Sequence, residues 1–378
     1  MKNPFLFGPL VSGDAFYDRD ETERDLLRAV GNGTNVLLYG PRRYGKSSLV
    51  ARVVEKLRAE GHPCIYFDMM KVDSMEQFLQ AYASAALALQ DRATRSLGSL
   101  ARFFRGLRPK FTVGEDGKPA LELDFSSPPT TATLEDVLAL PESLHRGGRN
   151  AVVVFDEFQE IERLSSVLPA ERVFRSVIQR QKRVNYIYLG SRTPLIRRMF
   201  TDAAKPFYQS ALVLRMEKPP RGESVDFLRD RFRQGGVAAD DAALDAIVDA
   251  AENIPYYLQA LAYEAFEQAE AEGRRSIGEA DVPPAIARAV GRMQDAFETS
   301  VENLSENQRT LLSALAREPA TGFDADYRAR HRLPVYTSVS SALKVLVAKG
   351  LVETEGKTHR VASPFFAVWL REPVCTVR

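Results

Sequence analysis

The segment Gly40-Pro-Arg-Arg-Tyr-Gly45-Lys46-Ser47 determines the predicted fold class. It matches the phosphate-loop (Walker A) pattern G-x-x-x-x-G-K-[ST] at every defined position. An apolar run at 35–39 precedes it and predicts a strand, and a helical pattern at 46–60 follows it. In that setting the backbone N–H groups of the loop and the positive end of the helix surround phosphates. We therefore expect Lys46 to contact the β- and γ-phosphates of a nucleotide and Ser47 to bind Mg²⁺. The residues predicted to line the phosphates are Gly40, Pro41, Arg42, Arg43, Tyr44, Gly45, Lys46, Ser47 and Ser48.

Four more short apolar runs follow, at residues 64–67, 151–155, 186–189 and 211–214. Each is apolar at nearly every position, which is typical of strands that are covered on both faces of a parallel sheet. Helical patterns lie between the runs. This alternation predicts a doubly wound α/β domain over residues 1–218.

Three segments depart from this alternation. Residues 108–125 form two alternating arms around Asp116-Gly117, and they predict a β-hairpin inserted into the α/β domain. Residues 219–300 have helical periodicity almost throughout and predict a helical domain. Residues 301–378 contain two helical patterns followed by a short hairpin pattern, which together predict a C-terminal winged helix-turn-helix.

Two adjacent carboxylates, Asp156 and Glu157, follow the run 151–155. At the carboxyl end of a central strand the first holds Mg²⁺ and the second polarises an attacking water, which is the Walker B arrangement. A solvated acidic turn would give the same dipeptide, but the phosphate loop upstream favours the nucleotide interpretation. Small-molecule kinase chemistry needs no dedicated water-activating base, so we predict hydrolysis, with Glu157 and Lys46 as catalytic residues. Ser191, which follows the run 186–189, is predicted to sense the γ-phosphate or orient the water, although an exposed loop serine gives the same pattern.

The composition of the 378-residue chain excludes several classes of protein. Fifty-one Lys and Arg residues against fifty Asp and Glu residues give a net charge of +1, which excludes a polybasic nucleic-acid coat. Two cysteines and four scattered histidines do not suit a disulfide framework or a Cys/His metal cage. The chain has no run of ~18 apolar residues, and its first residues lack the features of a signal peptide. We therefore expect a reduced, cytoplasmic protein that does not bind a membrane.

The chain resembles the archaeal-type ATPase family, within the AAA+ and signal-transducing P-loop ATPases. The resemblance extends over nearly the whole length and rests on residues 16–21, 40–47, 154–158, 189–192, 206–208 and 254–258. It implies an α/β P-loop NTPase fold with a five-stranded parallel sheet, a helical lid at 219–300 and the terminal winged helix. In that sheet the strand before Ser191, the implied sensor, would lie between the phosphate-loop strand and the strand before Asp156.

The resemblance also implies contacts with ATP. Phe16 and Arg19 would lie near the adenine and the outer face of the nucleotide, and Pro255 would mark the lid turn that approaches it. The chain departs from the family pattern before the lid proline, where many relatives carry a glycine and this chain has Asn253-Ile254-Pro255. It departs again after the element at 206–208, where relatives often place an arginine and this chain has Gln209 and Ser210. No arginine finger and no lid sensor is therefore assigned.

Two weaker signals concern partners. The segment from Arg92 to Lys110 interleaves basic residues with Phe103 and Phe104, which suits either nucleic-acid binding or a helix with a solvated basic face. Residues 301–378 carry eleven basic and eight acidic residues, and the predicted recognition helix at 337–349 offers serine and lysine but no arginine. The sequence allows this region to bind either duplex DNA or a protein partner.

The sequence as a whole predicts an ATP-binding, Mg²⁺-dependent P-loop ATPase of the AAA+ kind that acts as a nucleotide-driven switch or remodeller. Binding of ATP would fix the relative orientation of the α/β core and the lid, and hydrolysis would release it. Two alternatives stay open. One is an ATP-gated DNA-binding regulator, and the other is a signalling or defence scaffold that oligomerises with little turnover and recruits a protein partner.

Overall fold

The computed structural model describes residues 2–8, 16–17, 19–89, 108–113, 119–125, 127–145, 147–165, 168–191 and 193–371. They form two compact units. The first unit is Arg19–Glu217, and the second combines Met1–Asp18 with Lys218–Arg378.

The first unit is built on a five-stranded parallel sheet. The strands that the structure describes in this unit, including two outside the sheet, are in chain order β1 (Val36–Tyr39), β2 (Cys64–Asp68), β3 (Arg108–Val113), β4 (Pro119–Asp124), β5 (Ala151–Asp156), β6 (Val184–Gly190) and β7 (Leu212–Arg215). The sheet order is β2-β5-β6-β1-β7, and β3 and β4 form a separate pair. Each predicted apolar run overlaps one strand of the sheet. The strand before Ser191 lies between the phosphate-loop strand and the strand of Asp156, which confirms the predicted order.

Helices connect the strands of this sheet. They are α1 (Asp20–Gly31), α2 (Lys46–Ala59), α3 (Met75–Leu87), α4 (Thr131–Leu138), α5 (Leu140–Leu144), α6 (Ile161–Leu164), α7 (Ala170–Ile178) and α8 (Thr193–Thr201). Strands β1, β5 and β6 are buried at every position, whereas most of the edge strand β7 is exposed. All five strands are parallel, so their carboxyl ends meet at one edge of the sheet. The phosphate loop, Asp156, Glu157 and Ser191 lie at that edge.

An aromatic cluster forms the core beside β5. The ring of Phe155 lies 5.6 Å from that of Tyr82 and 6.0 Å from that of Tyr186, measured between ring centroids. Phe158, in a 3₁₀ turn at Phe158–Glu160, lies 4.6 Å from Tyr188 and is fully buried. Large aromatic side chains bury the most apolar area per residue, so this cluster holds both the strand and the turn after it.

Strands β3 and β4, the two arms of the predicted hairpin, pair in an antiparallel arrangement. Arg108 pairs with Asp124 and Val113 pairs with Pro119. The predicted turn at Asp116-Gly117 lies outside the described residues. Leu123 is buried, and its N–H donates to Gln80 Oε1 at 2.7 Å, so the second arm is attached to α3.

The second unit is mainly helical. Its first helices are α9 (Arg221–Gln234), α10 (Asp241–Ala250), α11 (Pro255–Ala271), α12 (Val282–Gly291) and α13 (Gln294–Glu302). Two-residue strands β8 (Ala238–Ala239) and β9 (Ser276–Ile277) pair in parallel between them. Strands this short leave no alternating pattern, so the sequence did not predict them.

The winged helix completes this unit. Its elements are α14 (Glu306–Arg317), α15 (Ala325–Arg330), α16 (Tyr336–Ala348), β10 (Val352–Glu355), β11 (Thr358–Val361) and α17 (Pro364–Arg371). Ser305 and Gln308 cap the start of α14 reciprocally, which explains why that helix begins where it does. The two predicted helices and the hairpin are confirmed, while the short helices α15 and α17 were not predicted. Among the described residues, no helix is both long and apolar enough to cross a membrane.

Candidate active site

The phosphate loop connects β1 to α2 at the carboxyl edge of the sheet. Gly45 precedes α2 with φ of +89°, a left-handed conformation that glycine adopts without a side-chain clash. Because glycine has no side chain, Gly45 does not cap the first N–H groups of α2. These donors and the positive end of the helix are what a bound phosphate requires.

Lys46 is the first residue of α2 and is buried. Its Nζ donates to the carbonyl oxygen of Pro41 at 2.8 Å, within the loop itself. Burial lowers the pKa of Lys46 to about 8, against the opposing effect of the Glu157 and Asp156 carboxylates. The loop therefore contains an ammonium group whose positive charge is costly until an anion binds beside it.

Asp156 ends β5 and contacts the phosphate loop directly. Its Oδ2 accepts hydrogen bonds from Ser47 Oγ at 3.0 Å and from the Tyr66 hydroxyl at 2.5 Å. Its Oδ1 accepts from the backbone N–H of Glu157 at 2.9 Å. Burial raises the pKa of Asp156, although the hydrogen bond from Tyr66 opposes this shift.

The contact between Ser47 and Asp156 suits Mg²⁺. Hydroxyl and carboxylate oxygens are the ligands that this ion prefers, and it commonly uses one or two protein oxygens together with phosphates. In the described part of the chain, no group of three or more His, Cys, Asp or Glu side chains could hold a metal ion. The residues present therefore fit a metal that arrives with a nucleotide, and they do not form a protein cage.

Glu157 lies one residue further, at the start of the 3₁₀ turn. Its φ is +51°, in the left-handed region that non-glycine residues rarely adopt. Its Oε2 accepts hydrogen bonds from Gln159 Nε2 at 2.5 Å, from Ser191 Oγ at 2.8 Å and from the Ser191 N–H at 3.2 Å. Burial alone would raise the pKa of Glu157. The hydrogen bonds from Gln159 and Ser191, with the positive charge of Lys46, outweigh burial and leave that pKa below its ordinary value.

The remaining predicted residues divide between the two units. Arg19 is buried in the first unit, and its guanidinium donates to the carbonyl oxygen of Tyr44 at 3.4 Å. Arg42 and Arg43 are exposed in the loop, where Arg43 has a φ of +70°. Phe16 and Pro255 belong to the second unit, and their contacts with a nucleotide stay predictions.

Two side chains of this site were not predicted from the sequence. Tyr66, on β2, reaches Asp156 across the neighbouring strand, 90 residues away along the chain. Gln159 donates to the carboxylate two residues before it. The only sequence signal for Tyr66 was a hydroxyl in an otherwise apolar run, and Gln159, among charged residues, gave none.

The comparisons with known proteins agree with this geometry. A family described as an ATPase domain predominantly from Archaea matches residues 16–261. The chain belongs to that family. A second family, described as a probable winged helix domain, matches residues 295–372. The resemblance drawn from the sequence is thereby confirmed, as is the P-loop ATPase fold with a terminal winged helix. A search of the curated proteins gave no significant match.

Solved structures similar to this archaeal-type ATPase include three from archaea. A Walker-type ATPase of Pyrococcus abyssi has 20% identity and a TM-score of 0.68, with 98% of this chain and 100% of that chain covered. The Aeropyrum pernix ORC2 protein, in ADPNP–ADP complexes, has 19% identity and a TM-score of 0.54, with 93% and 90% covered. The Aeropyrum pernix ORC1 protein in complex with DNA has 16% identity and a TM-score of 0.52, with 96% and 94% covered. At these identities the likeness establishes the fold of the ATPase.

Proposed function

We propose that this ATPase-family chain binds ATP with Mg²⁺ and hydrolyses it to ADP and phosphate, as a nucleotide-driven switch or remodeller. The observation that supports this most is the direct contact between the two halves of the site. Ser47 of the phosphate loop lies 3.0 Å from the carboxylate of Asp156, and Glu157 follows on the same strand end. The groups that we propose to bind phosphate, bind metal and activate water therefore share one edge of the sheet.

Each side chain has a distinct part in this reaction. Lys46 would hold the β- and γ-phosphates as a charged donor, because the negative charge of the phosphates raises the pKa of Lys46 again. Ser47 and Asp156 would hold Mg²⁺, which when bound neutralises part of the phosphate charge. Glu157 would accept a proton from the attacking water. Its lowered pKa keeps it ionised, and therefore able to act as a base, at neutral pH.

Phosphate release from ATP tests the proposal. Lys46→Ala should lose nucleotide binding, and Glu157→Gln should keep ATP bound while its turnover falls by about two orders of magnitude or more. Lys71→Ala and Glu55→Gln are matched controls, because both side chains are exposed in the same unit. Wild-type protein that binds ATP and releases no phosphate would contradict hydrolysis. Equal turnover in Glu157→Gln would contradict the assignment of the base.

A second candidate function is nucleotide-gated binding of duplex DNA by the winged helix. It is favoured by a polar groove between the start of α14 and helix α16, a cavity of about 370 Å³. The groove is lined by Ser305, Asn307, Gln308, Thr337, Ser338, Ser341, Ala342 and Val345. Hydroxyl and amide groups of this kind contact DNA phosphates and base edges, and the exposed Lys344 lies on the same helix. The other predicted nucleic-acid segment, from Arg92 to Lys110, lies outside the described residues except for its last three, and its role stays a prediction.

Fluorescence anisotropy with a labelled duplex at low salt separates these functions. DNA affinity that depends on ATP, persists in Glu157→Gln and falls in Lys344→Ala would support the regulator. No binding to any duplex would eliminate it. Light scattering of Glu157→Gln with and without ATP tests, in the same samples, whether the chain oligomerises as the scaffold alternative requires. An ATP-dependent rise in mass would support a homo-oligomer, and an invariant monomer would count against it.

A further inference from the structure

Gln159 has no part in the mechanism above, yet it is among the most buried polar side chains in the first unit. It occupies the middle of the 3₁₀ turn Phe158–Glu160 that follows Glu157, and only 2% of its surface is exposed. The turn is anchored by Phe158, whose ring lies 4.6 Å from Tyr188 and 5.1 Å from Phe207. The Gln159 side chain is therefore held at a fixed place beside the carboxylate.

The carboxamide of Gln159 makes one hydrogen bond and leaves one atom without a partner. Its Nε2 donates to Glu157 Oε2 at 2.5 Å, while its buried Oε1 has no hydrogen-bond partner in the described part of the chain. A buried acceptor without a partner destabilises a protein, so an apolar residue of the same shape would suit a purely structural position better. The amide donor to Glu157 is the compensating interaction.

Gly190 makes room for this arrangement. A β-carbon at Gly190 would lie 2.9 Å from Gln159 Oε1 and 2.6 Å from Ile196 Cγ1, closer than real contacts allow. Gly190, at the end of β6 next to Ser191, therefore leaves the space that the Gln159 carboxamide occupies. The donors from Gln159 and Ser191 both reach the same oxygen, Oε2 of Glu157.

We propose that Gln159 is a positioning residue for ATP hydrolysis. Together with Ser191 it fixes Oε2 of Glu157, so that Oε1 is the oxygen that accepts the proton of the attacking water. In the described part of the chain, Oε1 has no hydrogen-bond donor. The inference rests on the hydrolysis proposed above. In this role Gln159 acts through the orientation of Glu157, to which it donates.

The variant Gln159→Met tests this, because methionine keeps the shape of glutamine and removes both the donor and the unpartnered oxygen. We expect kcat for phosphate release to fall at least tenfold, KM for ATP to stay within twofold, and the midpoint of thermal unfolding to be no lower than in the wild type. A kcat within twofold of wild type, or a raised KM with unchanged kcat, would overturn the proposal. Wild-type protein without turnover would overturn both this proposal and the proposed function, so the two failures are distinguishable.

A second measurement separates positioning from structural damage. In the Glu157→Gln background, Gln159→Met should change the residual rate less than twofold, because the carboxylate that it orients is already gone. A structural role would instead lower the rate by a similar factor in both backgrounds. If Gln159→Met fails to fold, Gln159→Leu takes its place. Leucine also lacks a donor, so kcat should fall by a similar factor, and wild-type turnover in that variant would refute the idea.

Discussion

Raising the pH from 7 to 9 should weaken nucleotide binding through a single side chain, Lys46. Burial lowers the pKa of this ammonium group to about 8, so it is mostly charged at pH 7 and mostly neutral at pH 9. Phosphate oxygens bind the charged form, and their negative charge raises the pKa of the group again. Binding at pH 9 must therefore take up a proton from solution.

The size of the effect follows from that pKa. With a pKa of about 8, about nine tenths of the Lys46 side chains carry a proton at pH 7, and about one tenth at pH 9. If only the protonated form binds, the apparent affinity falls about tenfold over these two pH units, which is about 1.4 kcal/mol. The uptake of protons on binding should rise from about 0.1 per nucleotide at pH 7 to about 0.9 at pH 9.

Isothermal titration calorimetry with a non-hydrolysable ATP analogue and Mg²⁺ measures both quantities. Titrations at pH 9 in two buffers of different ionisation enthalpy give the number of protons taken up. Lys46→Arg is the matched control, because a guanidinium stays charged over this range and should show neither the uptake nor the tenfold loss. A wild-type affinity that is constant from pH 7 to 9, with no proton uptake, would refute the buried, anion-dependent charge on Lys46.

Three further substitutions have expected outcomes. Tyr66→Phe removes the hydroxyl that donates to Asp156, so the Mn²⁺ affinity of the ADP complex should fall about tenfold in an EPR titration. An unchanged affinity would contradict the role of Tyr66 in holding the metal ligand Asp156. Phe158→Ala deletes a fully buried ring and should lower the free energy of unfolding by about 3–5 kcal/mol, measured by urea denaturation. A loss below about 1 kcal/mol would count against the aromatic core described above. Arg360→Met removes the cation that Glu252, Glu353 and Glu355 share, and these carboxylates are partly exposed, so the second unit should lose about 1 kcal/mol and melt earlier in calorimetry. An unchanged midpoint would mean that these ion pairs contribute nothing.

The sheet could be predicted from the sequence because its strands are buried on both faces. The runs at 151–155 and 186–189 are apolar at nearly every position, and runs of this kind that alternate with helical patterns indicate the strands of a covered parallel sheet. The sheet order came from the resemblance, since periodicity does not say which strands are neighbours. The short strands at Ala238–Ala239 and Ser276–Ile277 could not be predicted, because two residues carry no period.

The candidate site was predictable only where motif spacing carries chemistry. The loop from Gly40 to Ser47 and the pair Asp156-Glu157 are recognisable because each chemical role requires those residue types next to a strand end. Tyr66 and Gln159 act through the geometry of single hydrogen bonds, which sequence spacing does not encode. Tyr66 contacts a carboxylate 90 residues away because β2 and β5 are neighbours, and Gln159 reaches back because the backbone at Glu157 is left-handed.

The charges of the winged helix bear on the choice between a DNA partner and a protein partner. Glu318 accepts hydrogen bonds from both Arg330 and His331, which lie just ahead of helix α16. Arg360, on the wing strand, forms ion pairs with Glu252 and two other carboxylates. The charges of Arg330 and Arg360 are matched by carboxylates of the same chain, so these two arginines release few counterions from DNA and add little to its affinity. At the start of helix α16 the surface has an exposed apolar pair, Val335 and Tyr336, with 63% and 58% of their surfaces exposed, respectively. An exposed apolar pair of this kind suits a protein surface better than it suits a phosphate backbone.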